Sequence, residues 1–263
     1  MITISSDVLQ TWVIGLLMPM FRILAMISVA PIFSHGSIPV TIKIVLGFAI
    51  TVAIMPMIPV TPTLDLLSME GLLVIVQQIL VGLSIGFSMT IVFAAVEMMG
   101  QVIGMTMGLG FATFFDPQSQ GQSNAISQFY LLLGMLIFLS INGHLLIISA
   151  LANSFITMPI STNVLSGFDF MTMAMWGEKV FSAGLLLSLP GIAMLLIANI
   201  SLGILTRTAP QLNIFGIGFP ITISMGFIVI VLTMPQMLQP IEQLIQDNVI
   251  VMNQVGSINS KPK

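Results

Sequence analysis

The sequence contains no cysteine, which excludes disulfides and thiolate metal sites alike. Histidine is scarce as well, and the isolated His35 and His144 make almost no ligand set. Charged residues form 6% of the chain, whereas a soluble domain carries about a quarter. The formal net charge is −3 and the charges are scattered singly, so neither a nucleic-acid surface nor a polybasic lipid-binding patch is expected. No HExxH, Walker loop or carboxylate cluster occurs, so no catalytic set, metal site or cofactor site emerges. A repeat of fixed period is missing too, and the apolar runs do not read as two equivalent halves.

What the chain has in abundance is apolar sequence, at 57% hydrophobic residues over 263. Lipid is its expected solvent. In hydrocarbon, backbone groups must pair within a helix or around a closed barrel, and continuous apolar runs favour helices over the short alternating strands of a barrel. The expected fold class is therefore an all-α membrane protein. Runs of about 20 apolar residues span a bilayer, and six candidates occur, at 8–33, 40–60, 71–107, 129–155, 176–205 and 215–250. The first is too long for a cleaved signal peptide and carries Arg22 near its middle, so it is read as a retained span. The third would reach roughly 55 Å as one helix, against a bilayer core of about 30 Å, so it must tilt, break or leave the membrane. Pro190, Pro220 and Pro235 lie inside the last two runs and are expected to bend or break them.

The connections are short, and no separate soluble domain fits between them. Lys43 and Arg207 fall on one side of the membrane against Lys179, Lys261 and Lys263 on the other, a balance that does not decide orientation. The loop from Gly110 to Asn124 opens with three phenylalanines, turns at Asp116-Pro117 and then becomes polar.

Several residues stand out from this background. Arg22 needs an acceptor if it is inside the membrane, so it is either a buried assembly pin on carbonyls or a carboxylate of a neighbouring helix, or part of a segment outside the bilayer. Glu97 poses the same choice between a proton relay and a solvated position. Gly100, Gly104 and Gly108 recur every four residues and form a bare stripe for close helix packing, a pattern repeated at Gly82 and Gly86. Met89, Met98, Met99, Met105 and Met107 are either ordinary filling or a deformable seal ahead of the phenylalanine-rich loop. His144, after Asn142-Gly143, is read as a local hydrogen-bonding residue rather than a metal ligand.

Five strings carry a resemblance: FRILAMISVAPIFS from Phe21, QQILVGLSIGFSM from Gln77, QVIGMTMGLGFATFFDP from Gln101, NGHLLIISAL from Asn142 and RTAPQLNIFGIGFP from Arg207. Together they resemble, in order from Phe21 to Met234, the FliR/SctT family of type III secretion export-gate proteins. The resemblance implies a single domain over 1–263, with helices similar to a FliP subunit over about 1–165 and a FliQ-like helical hairpin over about 166–263. It implies a non-enzymatic component of the flagellar protein export gate in the bacterial inner membrane at the basal body. One copy would join FliP and FliQ in a hetero-oligomeric channel, with FlhB alongside, through which unfolded flagellar subunits pass. Energy would come from the proton-motive force and a partner ATPase. By the same resemblance Gly110, Phe111, Ala112, Thr113 and Phe114 form the channel plug, although Gly110 stands where members commonly carry serine. The leading rival function is a small-solute secondary transporter, which needs paired ionisable groups near the bilayer midplane, for which only Arg22 and Glu97 are candidates.

Overall fold

The computed structural model describes residues 6–59, 68–111, 125–161, 170–209 and 218–254, and among them every regular element is helical. The helices are α1 (Ser6–Val29), α2 (Val40–Ile54), α3 (Met69–Thr106), α4 (Ala125–Ser140), α5 (Gly143–Thr157), α6 (Phe170–Gly177), α7 (Lys179–Thr208) and α8 (Phe219–Gln254). Val40–Met57, Met69–Thr106, Met173–Thr208 and Pro220–Met252 are long and apolar enough to cross a membrane, and α4 with α5 makes one further, broken span. The apolar part of α1, Ile14–Val29, is shorter. The chain is an all-α membrane protein.

The boundaries follow from local chemistry. Pro31 cannot continue α1, and the chain turns with Ile32 at φ 70° before the Ser34 N–H bonds back to the Ala30 carbonyl at 2.9 Å. Lys43, one turn into α2, donates to the Ser34 carbonyl at 2.9 Å and satisfies that turn. The fourth apolar run is not one helix, because Asn142 takes a left-handed φ of 57° that an asparagine tolerates and a continuing helix does not. Its carbonyl then receives the N–H groups of Leu145 and Leu146 at 2.9 and 3.2 Å, which starts α5. The prolines break less than the sequence suggests. Pro220 sits in the first turn of α8, where its missing donor costs nothing. The helices α7 and α8 run on through Pro190, Pro235 and Pro240. Lost backbone bonds of this kind are tolerated in membrane helices where neighbouring groups answer the freed carbonyls.

Most hydroxyls in these helices bond to a carbonyl three or four residues earlier in their own helix, so an apolar span carries them without an unmet donor. Thr51 to Gly47, Ser84 to Leu80 and Thr233 to Val229, at 2.7, 2.6 and 2.9 Å, are examples. The helix α3 is continuous over 38 residues, and 67% of its most apolar window is buried, against 22–28% for the other three full-length spans. It is the most buried of these four spans.

The chain divides into two compact units, each discontinuous in sequence: 1–91 with 142–177 and 245–263, and 92–141 with 178–244. In the first unit, Gly82 and Gly86 of α3 lie against the backbone of α1. A Cβ at Gly82 would run into the Arg22 carbonyl, and one at Gly86 would come within 2.8 Å of the Met26 carbonyl. One turn on, the Thr90 hydroxyl donates to the Val29 carbonyl at 3.1 Å. Positions 82, 86 and 90 thus form one close seam against α1, which small side chains make possible. In the second unit Gly100 lies against α4, where a Cβ would sit 2.5 Å from Ser127 Cα, and Gly134 of α4 faces Val96. Phe93 and Phe138 pack edge to face at 5.5 Å between the same two helices.

Gly82→Ala is expected to destabilise the protein by about 1–3 kcal/mol, since the clash is with backbone and not with a flexible side-chain end. Gly203→Ala, in open space on α7, is the control and should be neutral or slightly stabilising. Thermal unfolding of the detergent-purified protein reads both; equal melting temperatures for the two variants would show that the α1 seam is not tight.

Candidate functional site

Among the described residues Arg22 is the largest fully buried side chain, at 0% exposure. It projects from α1 toward α3 and α5 inside the first unit. Its Nε donates to Gln78 Oε1 at 2.9 Å, one terminal nitrogen donates to the Ser154 carbonyl at 2.8 Å and the Ser154 hydroxyl at 2.9 Å, and the other donates to the Met158 carbonyl at 2.9 Å. The guanidinium also lies over the Phe155 ring, 4.1 Å from its centroid.

Each of these acceptors is neutral, and their position explains why they suffice. Residues 154–158 are the last turn of α5 and its cap, at the negative end of the helix dipole, and the Ser154 carbonyl, although bonded by the Met158 N–H, keeps a second lone pair for Arg22. A cation placed there answers open lone pairs and meets a favourable field. The planar fork of arginine spans the turn, which a lysine ammonium on a single point cannot do. Ser154 serves twice, since its hydroxyl also donates to the Leu151 carbonyl at 2.6 Å. Gln77 accepts weakly from the Gln78 amide at 3.5 Å, which helps hold Gln78 in the orientation that offers its oxygen to Arg22.

The other sequence-derived residues fall in different places. Gly100 and Gly104 lie on α3 and are buried. Gly108 lies beyond the end of α3 with φ 88°, so the helical part of the stripe is two glycines long and Gly108 serves the turn. Met89, Met99 and Met107 are fully buried, while Met105 is exposed. Met107 is pressed against Gly226 of α8, whose missing Cβ makes the room. Near it the Asn199 amide reaches the Thr106 carbonyl at 3.4 Å, at the end of α3. Glu97 is half-buried on α3. The His144 Nδ1 is buried and meets no hydrogen-bond partner among the described residues, so the expected local hydrogen bond is not made at that atom. Gly110 is described as part of the short turn Leu109–Phe111; Ala112, Thr113, Phe114 and the Phe111 side chain lie outside the described residues. Among the described residues no three of His, Asp and Glu come together to hold a metal ion.

Sequence reasoning missed the partners of Arg22. Gln77-Gln78, an amide pair inside an apolar run, was the one available signal; Ser154 and the Met158 carbonyl are 132 and 136 residues away and gave none. It also missed Trp176 of α6, whose indole N–H donates to the Ser88 carbonyl of α3 at 3.3 Å.

Helix caps and close glycine seams organise the described interior of what is an integral helical membrane protein. Residues 13–248 match the bacterial export proteins, family 1, and the chain belongs to that family. It is 43% identical to the flagellar biosynthetic protein FliR of Pectobacterium carotovorum subsp. carotovorum and 41% identical to that of Escherichia coli (strain K12). Each alignment covers 235 residues, 89% of this chain and 90% of the relative. The FliR of Bacillus subtilis (strain 168) is 31% identical over 222 residues, 83% of this chain and 85% of that one. The chain is thus a membrane component of flagellum biogenesis and protein export.

Arg22→Leu is expected to lower stability by about 3 kcal/mol, because Gln78 and the Met158 carbonyl are left without a donor while the Ser154 carbonyl keeps its bond from the Met158 N–H. Arg22→Lys should recover only part of that loss. Recovery of folded protein from membranes after mild heating measures the order wild type, lysine, leucine; equal recovery of all three would remove Arg22 from the account of stability.

Proposed function

We propose that the chain is a channel-forming subunit of the flagellar export gate in the bacterial inner membrane at the basal body. There one copy assembles with FliP and FliQ, with FlhB alongside, to pass unfolded flagellar subunits. The division into a FliP-like part over about 1–165 and a FliQ-like hairpin over about 166–263 belongs to this proposal. The observation that carries it is the exposed apolar surface. The helix α2 exposes Val40, Ile42, Val45, Phe48 and Val52, and α7 exposes Phe181, Leu186, Leu189, Ile197 and Ile204, each by at least 46%. So large an apolar surface on a chain of an export family is suited to lipid and to other helical subunits.

A small-solute transporter reading is less well supported. It needs a midplane polar site with paired ionisable groups, and Arg22, the most deeply buried charge, spends its donors on a helix end and an amide. In the proposed subunit Arg22 acts as an assembly pin by fixing the α1, α3 and α5 arrangement that partners would meet. Gly100 and Gly104 hold α3 close to its neighbours. Gly110, Phe111, Ala112, Thr113 and Phe114 form the plug, in which apolar groups at a constriction exclude water and ions and the glycines at 108 and 110 let the backbone swing aside.

Deleting residues 110–114 should leave the complex assembled and raise its ion conductance in planar bilayers. An assembled complex that stays tightly closed would remove the plug, and failure to assemble would make the segment a packing element. In the same reading the loop between α7 and α8 faces the cytoplasm, so a cysteine at Asn213 should resist membrane-impermeant thiol reagents added to spheroplasts. Ready labelling would reverse the topology.

A further inference from the structure

The last turns of α8 are held down by a contact that is poor for the group at its centre. Ile245 and Met252 are buried at 0% and 4% exposure, and between them Asn248 is sealed at 0%. Its amide nitrogen meets the Met89 sulfur of α3, a weak acceptor, at 3.6 Å, and its Oδ1 is buried without a hydrogen-bond partner. Other buried polar side chains of the same unit are better served. Gln78 accepts from Arg22, and the Thr51 and Ser88 hydroxyls donate to the Gly47 and Ile85 carbonyls. The outward side of this stretch is polar, with Gln239, Gln243, Gln246 and Asp247 exposed. At 36 residues α8 reaches about 54 Å against a bilayer core of about 30 Å, so part of it lies outside hydrocarbon, and these side chains mark its C-terminal end as that part. Water therefore lies on one side of the segment and is kept from the other. An amide oxygen held dry and unpaired weights the equilibrium toward any state in which it meets water, by about tenfold for a typical group. The helix also has a place to give. Pro240 has no N–H for the Gln236 carbonyl and Pro235 none for the Val231 carbonyl, so the ladder of α8 loses two bonds just ahead of the segment.

We infer that residues 245–254 form a releasable arm, which swings at Pro235 and Pro240 to lift Ile245, Asn248 and Met252 off α3, with Asn248 as the residue that keeps the docked state from locking. Ile245 and Met252 hold the arm down, and the unpaired amide works against them. A position selected for stability alone would carry leucine, which is close in volume and leaves nothing unpaired. The inference goes beyond the export-gate reading and does not depend on it.

Because the chain has no cysteine, a single one reports cleanly. Ile245→Cys is made in the full chain and its reaction with a water-soluble maleimide is followed in native membrane fragments, where the reagent reaches both faces. Ile147→Cys, at a position 0% exposed on α5, is the closed reference. The thiol at position 245 should be modified at least about tenfold faster than the one at 147. Adding Asn248→Leu should slow that reaction about tenfold, since the docked state no longer holds an unpaired amide. Adding Pro240→Ala instead should slow it too, by restoring the bond to the Gln236 carbonyl. A thiol at 245 no more reactive than the one at 147 would overturn the inference, as would an unchanged rate in folded Asn248→Leu protein. If Asn248→Leu lowers the yield of folded chain, Pro240→Ala decides alone, and an unchanged rate in that variant overturns the arm.

Discussion

A guanidinium sealed away from water persists only if its N–H groups meet acceptors, and Arg22 meets them at the C-terminal turn of α5. That constraint orders much of the first unit. For the fork to reach Ser154, Met158 and Gln78 together, α1, the first half of α3 and α5 must take one arrangement. The Gly82 and Gly86 seam serves the same end, because the α3 backbone has to come against the Arg22 and Met26 carbonyls. Apolar packing in lipid has little hydrophobic drive of its own, so a directional polar lock is one of the few ways to select among similar helix arrangements.

The second unit uses the same chemistry without a charge. Gly100 against Ser127, Gly184 against the Ala95 carbonyl and Gly226 against Met107 bring backbones and side chains together where a Cβ would not fit. Some polar side chains turn back on their own helix, as Thr233 does, and Asn199 closes a helix end at Thr106. The outer faces of α2 and α7 remain apolar, as a lipid environment allows.

The membrane class and the helical fold were legible in the sequence, because scarcity of charge and length of apolar run are one-dimensional properties. So was the family, carried by irregular strings such as GLGFATFFDP and RTAPQLNIFGIGFP. What Arg22 touches was not legible, since a contact across 132 residues leaves no local trace. The break at Asn142 was hidden inside an apolar run, because hydropathy does not register a left-handed residue. The glycine period likewise reads on through Gly108, although α3 stops at Thr106, because a four-residue spacing carries no sign of where the helix ends. The prolines in the last two runs did not break α7 and α8, which continue through Pro190, Pro235 and Pro240, because a freed carbonyl in a membrane helix can be answered by neighbouring groups that sequence does not reveal.

Native mass spectrometry of the complex extracted from its own membrane tests the central claim, that this chain is a structural subunit of a hetero-oligomeric export channel. The expected spectrum holds one copy of this 28.3 kDa chain with several copies of other helical membrane subunits, dissociating as a unit. A spectrum of the chain alone, or of a homo-oligomer of it, would contradict the claim and return the protein to the solitary transporters.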